Sequence, residues 1–576
     1  MIERLLFRAR DLAAPSLILL AIWALTILVV NPVGEFFVND DWSFVKIVEE
    51  IWSNGSMPAT GWGKGGPSAI VHILWGGLFR YLGGPSLTVL RISVLALSII
   101  ASLGLLILLR LAGASRWLSL CGALTLMANP LFISQSFTFM TDITFCAILI
   151  YSVMLLFLAV DRGSLVLAGF GLFSSLLAIL TRQIGIVIPL GFVVTCFLHP
   201  KGKALGSSRV VLLALAIAIV PWLGYEYFLA SVGSTPVTRH DVIHNILELP
   251  RVYGAWGYTV LLLRQFFLVA LGYTCFFVSP MLALSYPDVF AKAPVKLLLV
   301  IITFAVGLLE AGILLGFINP PMLFHYNVIF NMGIGPILLK DTYILGIPRT
   351  EAMTPALFYV IAYWSGVAQV VFWSLCILWL GKLLPNRYED RQDSTSFLAA
   401  FALFVAGLYL AIILLTAFHD RYLIPLIALG IIWLAADLVV RGQQVQMGGK
   451  VAAAFAILAI GVPAVPAVHD FMELKRAQVR ATEYLVRDLG IDPCAFDGGF
   501  EHNGYHCYRR GITSAEGASW WWVAEEKYVV ALGPLPGYCS IKTIPFDRYL
   551  GKDGAIHVLA PQDSPGLSRS ARQPQR

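Results

Sequence analysis

Residues 13–31, AAPSLILLAIWALTILVVN, form an apolar run without a charged residue. About 20 such residues in a helix cross the hydrocarbon core of a bilayer. The run ends at a proline, and the next residues, VGEFFVNDDW (33–42), bring two carboxylates side by side, Asp40 and Asp41. The sequence therefore predicts a membrane-spanning helix with an acidic pair just beyond its end.

The composition of the whole chain agrees with this start. Of 576 residues, 58% are hydrophobic and 13% are charged, whereas a soluble domain carries about 25% charged residues. The net charge of +6 is not gathered into a basic tract, so nucleic acid is not an expected partner. We predict a polytopic membrane protein whose first apolar run, after MIERLLFRARD (1–11), stays in the chain as a span rather than acting as a cleaved signal.

Apolar runs of similar length recur along the chain, separated by short polar breaks. They predict a mainly α fold, a polytopic transmembrane helical bundle of about 13 spans. The predicted spans are 13–31, 91–110, 117–134, 143–160, 164–181, 184–199, 209–230, 259–280, 296–317, 356–380, 397–417, 421–440 and 450–467.

Alternate breaks between these spans are basic. Because Lys and Arg accumulate in cytoplasmic loops, we place the basic breaks in the cytoplasm and the others outside it. The outward set then includes the first loop, 32–90, the short turns at 135–142, 181–183 and 419–421, and the segment after the last span. The basic set holds Arg4, Arg8, Arg10, Arg110, Arg116, Arg162, Lys201, Lys203, Arg209, Lys292, Lys296, Lys382, Arg387, Arg391, Arg441 and Lys450.

The first outward loop has internal order of its own. Residues 1–467 are predicted to form one transmembrane domain, and within it loop 32–90 carries two amphipathic stretches, 41–52 and 70–82. A helix with one apolar face beside a span is typical of a segment that lies along the membrane interface. We expect two interfacial helices there.

The composition shifts after the last predicted span. Residues 468–560 are predicted to form a small extracytoplasmic α/β domain, and the tail 561–576 is predicted to be disordered. The predicted elements of that domain are a helix at 471–489 and strands at 527–533, 539–546 and 555–560.

Every short outward turn carries a chemically useful side chain. Asp142 lies in the second turn, Arg182 in the third, and Arg421 and Tyr422 in the last. Ionisable groups at membrane depth are costly and tend to be functional. For each of them the alternative is an interfacial anchor or a structural ion pair, such as Asp142 with Arg182. For Asp40 the alternative is a helix N-cap in a solvated loop.

Other polar residues support weaker hypotheses. His240 and His244 are four residues apart, a spacing that would bring both imidazoles to one helix face as metal ligands. No third candidate ligand stands at a spacing typical of a metal site. Lys64, in a glycine-rich turn, would reach a phosphate or simply be solvated. Cys494 and Cys507 flank a loop that a disulfide can close, with Cys539 as the competing partner for either thiol.

Four short motifs follow one another along the chain: NDDW (39–42), MTDITF (140–145), LTRQIGIVIPLG (180–191) and DRYLIPL (420–426). In this order they resemble motifs of the GT-C superfamily of polytopic glycosyltransferases, in particular of bacterial protein O-mannosyltransferases and lipid A aminoarabinose transferases. The resemblance covers about 1–440, and GGFEHNGY (498–505) also looks like a segment of some bacterial members. Many relatives have Asp-Glu where this chain has Asp40-Asp41, so the resemblance leaves open which acid is the base.

The resemblance implies a GT-C-like bundle in a bacterial inner membrane, a sugar donor on a polyprenyl phosphate, and a lipid, glycan or protein acceptor. Nucleotide sugars are not expected outside the cytoplasm, so an outward site agrees with a donor that arrives in the membrane. Asp40 or Asp41 would take the proton of the acceptor hydroxyl in an inverting displacement. Asp142 would orient that acid or share a divalent cation with it. The donor phosphate would be held by Arg182, Arg421, Tyr422 and Lys64.

A transporter or flippase for a lipid-linked sugar is the rival class. It would explain the bundle and the charged turns, but it does not need a long outward loop or an outward C-terminal domain, and it is expected to have broken helices near the midplane. A third class is an outward assembly or anchoring protein in which the C-terminal domain acts.

Overall fold

The computed structural model describes residues 2–55, 69–203, 208–231, 270–290, 328–330, 333–349, 393–415, 419–442, 445–508 and 518–562, with scattered positions between 248 and 262 and between 360 and 375. Lys64, His240 and His244 lie outside the described residues, as do the predicted span at 296–317 and almost all of the predicted tail.

The described chain is mostly helical. Its helices are α1 (Ile2–Val30), α2 (Asp41–Asn54), α3 (Ile70–Gly83), α4 (Leu87–Leu111), α5 (Arg116–Met127), α6 (Pro130–Ser136), α7 (Thr141–Arg162), α8 (Leu165–Ile179), α9 (Val187–Leu198), α10 (Pro200–Lys203), α11 (Ser208–Ser231), α12 (Gly272–Phe277), α13 (Ser279–Phe290), α14 (Ser394–Leu415), α15 (Ile424–Val440), α16 (Met447–Glu483) and α17 (Phe500–Cys507). The strands are β1 (Ile329–Phe330), β2 (Gly333–Ile334), β3 (Val529–Ala531), β4 (Tyr538–Phe546) and β5 (Gly554–Pro561).

Six described helices are long and apolar enough to cross a membrane. They agree with an integral membrane protein, as the composition indicates. The number of about 13 spans stays a prediction, because several of the predicted runs lie wholly or partly outside the described residues. The candidate spans are Asp11–Val30, Leu87–Leu111, Thr141–Arg162, Ser394–Leu415, Asp420–Val440 and Met447–Asp488.

The predicted span at 117–134 is not one straight helix. Helices α5 and α6 meet at an angle of 66°. Asn129 stands between them, and its side-chain oxygen accepts a hydrogen bond of 2.8 Å from the Leu131 amide, which caps the start of α6. Pro130 occupies the first turn of α6, where its missing amide costs nothing. These two residues start a new helix, so the apolar run bends. Length alone did not predict this.

Charged side chains tie the helices together at one end of the bundle. Asp11, near the start of α1, forms ion pairs with Arg110 and Arg116, at the end of α4 and the start of α5. Thr395, at the start of α14, donates a hydrogen bond of 3.0 Å to the carbonyl of Ala112. Arg110 and Arg116 belong to the breaks that the sequence places in the cytoplasm.

The first loop leaves α1 at the opposite end. Helices α2 and α3 form where the sequence predicts them, and α2 packs Phe44, Val45 and Val48 inward while Trp52 is 53% exposed. Gly55 ends α2 with a left-handed φ of +65° and donates to the Ile51 carbonyl, a cap that glycine adopts at little cost. Their position along the membrane interface stays a prediction.

The segment between α1 and α2 has no regular structure, so side chains satisfy its backbone. Arg91, 2% exposed on α4, donates to the carbonyls of Pro32, Gly34 and Phe36 at 2.5, 3.2 and 2.9 Å. Arg476, from α16, donates to the Val33 carbonyl at 3.0 Å and to the Asn31 carbonyl. A buried carbonyl without a partner is costly, and Arg91 removes that cost for the buried Phe36 carbonyl. Together the two guanidinium groups hold the path of the loop.

Helix α16 runs unbroken from the bundle into the C-terminal part of the chain. It covers 37 residues, from Met447 to Glu483, and therefore crosses the predicted boundary at 467–468 without interruption. A three-stranded antiparallel sheet of order β3-β5-β4 packs on its distal half. The shared core contains Leu474, Ala477, Ala481, Leu485, Val530, Ile556 and Val558. The strands lie where the alternation of the sequence predicts them.

The two ends of the bundle should lie on opposite sides of the membrane. Gly113 follows α4 at the end tied by Asp11. Gly551 lies in the turn before β5, beside Tyr549 and Leu550, whose amides donate to Asp470 of α16 at 2.7 and 2.8 Å. We expect a reporter that is active only in the cytoplasm to be active when fused after Gly113, and one active only outside it to be active after Gly551. The same compartment at both positions would contradict the arrangement.

Candidate active site

Asp40 precedes α2 at the N-cap position but does not cap the helix with its side chain. Its carboxylate Oδ2 instead accepts a hydrogen bond of 3.2 Å from Nη2 of Arg421, which is distant in sequence. The backbone carbonyl of Asp40 accepts from the Ser43 amide and hydroxyl, which starts α2 without the carboxylate. The alternative of a solvated capping loop therefore does not describe Asp40.

Arg421 lies in a short 3-10 turn, Asp420–Leu423, and is 6% exposed. Asp420 holds this turn in place. Its carboxylate accepts hydrogen bonds from the amides of Val328 and Ile329, and from the amide of Arg421 itself at 2.8 Å. The last outward turn thus has one acid that fixes the backbone and one guanidinium that is available to the site.

Arg421 connects Asp40 to a second acid. Its Nε lies 3.9 Å from Oδ2 of Asp142, in the first turn of α7. The other carboxylate oxygen of Asp142 pairs with Nη1 of Arg182. The guanidinium of Arg182 lies over the ring of Tyr422, 4.5 Å from its centre. The ion pair between Asp142 and Arg182, given above as the structural alternative, is formed.

The structure thus brings five of the predicted site residues into one cluster. The cluster joins four segments that are far apart in the sequence, and each contributes from a turn that the sequence predicts to face outward. A buried cluster of two acids and two arginines is close to neutral, which is how a protein keeps such groups out of water. The members are Asp40, Asp142, Arg182, Arg421 and Tyr422.

Two donor groups of Arg421 have no hydrogen-bond partner among the described residues. They are Nε and Nη1, both buried. Buried polar groups in native proteins are nearly always paired, and guanidinium donors match the oxygens of a phosphate or carboxylate. Asp40 is the most open charged side chain of the cluster, 28% exposed against 7% for Arg421.

Asp41 points away from the cluster. It is 3% exposed, and its carboxylate accepts hydrogen bonds from the amides of Val38, at 2.7 Å, and Phe139, at 3.5 Å. Burial raises the pKa of Asp41 from 3.8 to about 8, against the opposing effects of these amides and of nearby Arg91. Asp41 ties the first loop to the second outward turn, and it does not touch Arg421.

The place between Asp40 and Asp142, where the sequence suggested a shared divalent cation, is occupied by the guanidinium of Arg421. It lies 3.2 Å from the Asp40 carboxylate and 3.9 Å from the Asp142 carboxylate. No group of three or more His, Cys, Asp or Glu side chains in the described part of the chain is arranged to hold a metal ion. A divalent cation in the site stays a prediction.

Sequence reasoning missed three residues that shape the site. Arg91 opens a predicted span and was not singled out, although a lone guanidinium beside an apolar run was a signal for it. Glu501 and Lys475 form a buried ion pair of 2.5 Å next to the acidic pair. Glu501 stands in GGFEHNGY (498–505), but no pattern in the sequence connects that segment to the first loop.

The C-terminal thiols pair as the sequence predicts. Cys494 and Cys507 form a disulfide, with 5.7 Å between their α-carbons. Cys539, the competing partner, is a free thiol that contacts the Ala560 carbonyl. The bridge closes a loop that contains α17, so it holds Glu501 within a restrained segment.

The fold and the cluster define a polytopic helical membrane protein with a buried, charge-balanced site at the end of its bundle. No family model matches the sequence, and no curated protein sequence does. Among solved structures, the chain is similar to the oligosaccharyltransferase AglB of Archaeoglobus fulgidus in complex with an inhibitory peptide and a dolichol-phosphate, with 13% identity and a TM-score of 0.42. This match covers 82% of the present chain and 57% of AglB.

The chain is also similar to ArnT of Cupriavidus metallidurans bound to undecaprenyl phosphate, with 11% identity and a TM-score of 0.37 over 94% of this chain and 97% of that one. For ArnT in the apo state the values are 13% and 0.37, over 95% and 98%. AglB and ArnT are both glycosyltransferases of the GT-C superfamily, the one that the sequence motifs resemble.

The buried Asp41 should make stability depend on pH. Because its pKa is about 8 in the folded chain and 3.8 ordinarily, the folded state binds more protons between these values, and stability falls as pH rises from about 4 to 8. The slope from this group is at most about 1.4 kcal/mol per pH unit. We expect Asp41→Asn, which cannot titrate, to flatten the decline in unfolding temperature measured in detergent between pH 5 and pH 8. Equal declines in the parent and the variant would refute this assignment.

Proposed function

We propose that the protein is a membrane glycosyltransferase of the GT-C type. It moves a sugar from a polyprenyl-phosphate donor to an acceptor hydroxyl on the extracytoplasmic face of a bacterial inner membrane, with inversion. The observation that carries the proposal is the position of buried Arg421 between Asp40 and Asp142, with its Nε and Nη1 lacking a hydrogen-bond partner among the described residues. An anion-binding group beside a partly open carboxylate is the pair that this reaction needs.

In this proposal Arg421 and Arg182 hold the phosphate of the donor. The leaving group is a lipid phosphate, which gains negative charge as the bond to the sugar breaks and is stabilised by cations rather than by a proton. Asp142 orients both guanidinium groups, since it contacts Arg182 and lies 3.9 Å from Arg421. Tyr422 lies against Arg182 and limits its rotation. Lys64 stays a further candidate for phosphate contact.

Asp40 is the proposed general base. Its carboxylate takes the proton of the acceptor hydroxyl while that oxygen attacks the anomeric carbon from the face opposite the phosphate. The bond between the anomeric carbon and the phosphate oxygen breaks, and polyprenyl phosphate leaves. One carboxylate is enough for such a direct displacement.

Asp41 has a different role in this proposal. Its two backbone contacts hold the loop that carries Asp40, and its position in the fold keeps it from the reacting atoms. Of the two adjacent acids, Asp40 is therefore the proposed base and Asp41 the residue that holds its loop.

The assay that tests the proposal is turnover. Purified protein in detergent, given a labelled polyprenyl-phosphate sugar and an acceptor, should release polyprenyl phosphate and transfer the label. Intact donor moved between leaflets of a reconstituted vesicle, without release of polyprenyl phosphate, would replace this proposal with the transporter or flippase.

Asp40→Asn should abolish most of the turnover. The amide keeps the shape of the side chain but does not accept the hydroxyl proton, and loss of a general base typically costs about 10²–10⁴-fold. The matched control is Asp41→Asn, one residue away, for which we expect a milder loss. Parental turnover by folded Asp40→Asn would remove Asp40 from the mechanism.

Arg421→Lys should weaken binding of the donor more than it slows the chemical step. Lysine keeps the positive charge but loses the planar set of donors, so KM for the donor should rise while the protein stays folded. Asp420→Asn serves as the control for damage to the turn, because Asp420 holds the backbone and not the ligand. An unchanged KM for Arg421→Lys would show that the phosphate binds elsewhere.

A further inference from the structure

We infer that Glu501 is a positioning residue for Asp40, and that the C-terminal part of the chain thereby sets the geometry of the proposed base. The consequence for turnover rests on the proposed function. The positioning itself does not, and the experiment below measures the two separately.

The contact is direct and buried. Oε1 of Glu501 accepts a hydrogen bond of 3.1 Å from the backbone amide of Asn39, the residue before Asp40. The same oxygen accepts one of 2.5 Å from Nζ of Lys475. Glu501 and Lys475 are 3% and 2% exposed, so water does not compete for either bond. Glu501 of α17, paired with Lys475 of α16, therefore holds one backbone amide of the first loop.

The backbone at this amide needs such a restraint. Asn39 has a φ of +55°, a left-handed conformation that is uncommon for a residue other than glycine, although asparagine tolerates it better than most. Conformations of this kind persist where the surroundings hold them. Because Asp40 is the next residue, relaxation of Asn39 would turn the Asp40 carboxylate away from Arg421.

Glu501 is itself held rigidly. The carboxylate of Asp497 accepts from the Gly499 amide at 2.9 Å and from the Asn503 side chain at 2.8 Å, which shapes the start of α17. At Gly504, an added β-carbon would lie 2.5 Å from the ring of Trp42, so α17 approaches the first turn of α2 closely. The disulfide between Cys494 and Cys507 brackets the same segment.

A buried ion pair is by itself weak evidence for stability, because the cost of removing both charges from water offsets their attraction. The pair between Lys475 and Glu501 has a more specific consequence here, because it fixes the oxygen that holds the Asn39 amide. A purely structural pair would affect folding without affecting Asp40 in particular, and this difference can be measured.

The first measurement is independent of activity. In Glu501→Ala, hydrogen exchange of the backbone amides in peptides covering residues 36–44 should become faster than in the parent. The matched control is Asp341→Asn, which alters another buried carboxylate, in the segment 333–349, that accepts a hydrogen bond of 2.9 Å from the Leu532 amide of the C-terminal part. Unchanged exchange at 36–44 in Glu501→Ala would overturn the inference, whatever the enzyme assay shows.

The second measurement is a mutant cycle on turnover. Misplacement of a reacting group by about 1 Å can cost about 10²-fold, so Glu501→Ala should lower kcat by up to about this factor with little change in KM for the donor. Added to Asp40→Asn, it should cause little further loss, because the group it positions is already gone. Losses that multiply in the double variant would overturn the inference and leave Glu501 a structural residue.

A third variant separates the hydrogen bond from the charge. The pair Lys475→Met with Glu501→Gln is neutral and keeps a side-chain oxygen for the Asn39 amide. It should retain slow exchange at 36–44 and most of the parental kcat, whereas Glu501→Ala should not. If no variant and no parent protein shows turnover, the proposed function fails, and the exchange results alone decide whether Glu501 holds the loop.

Discussion

The structure depends on a small number of charges buried at one end of a helical bundle. Arg421 is the centre of this arrangement, because it contacts Asp40 and approaches Asp142, which in turn pairs with Arg182. Each of these charges alone would be expensive at such a position. Together they nearly balance, and the partners come from four separate turns at the same end of the bundle. Packing of the helices and pairing of the charges are therefore mutually dependent.

The first loop illustrates the same dependence. Between α1 and α2 the backbone makes neither a helix nor a sheet, so its polar groups must be satisfied from outside. Arg91 and Arg476 donate hydrogen bonds to its carbonyls. The carboxylate of Glu501 accepts one from the Asn39 amide, and the carboxylate of Asp41 accepts one from the Val38 amide. The loop is thus given its shape by residues of α4, α16 and α17. It has little intrinsic preference for that shape.

Sequence patterns predicted the parts of the fold that periodicity controls. The apolar runs, the two helices of the first loop and the three C-terminal strands follow from local hydrophobic spacing. The turns that carry Asp40, Asp142, Arg182 and Arg421 could be selected because ionisable groups at membrane depth are costly and tend to be functional. The sequence did not predict that Asp41 faces away from Asp40. The direction of each side chain depends on the residue at which α2 begins, and a sequence pattern does not locate that residue.

The sequence also did not predict Glu501 or Lys475 at the first loop. The contact between Glu501 and Asn39 joins residues more than 400 positions apart, and no local rule reports such a contact. The bend at Asn129 escaped prediction because an apolar run shows length but not the choice between one helix and two.

Helix α16 has a mechanical consequence. At 1.5 Å per residue, 37 residues extend about 55 Å, whereas the hydrocarbon core of a bilayer is about 30 Å thick. The helix is therefore longer than a single span requires, and the sheet packs on its distal half. Its first half packs against α1, α6 and α13 of the bundle. Because one continuous helix joins the two parts, a force applied to the sheet would be transmitted to these helices, whereas a flexible linker would absorb it.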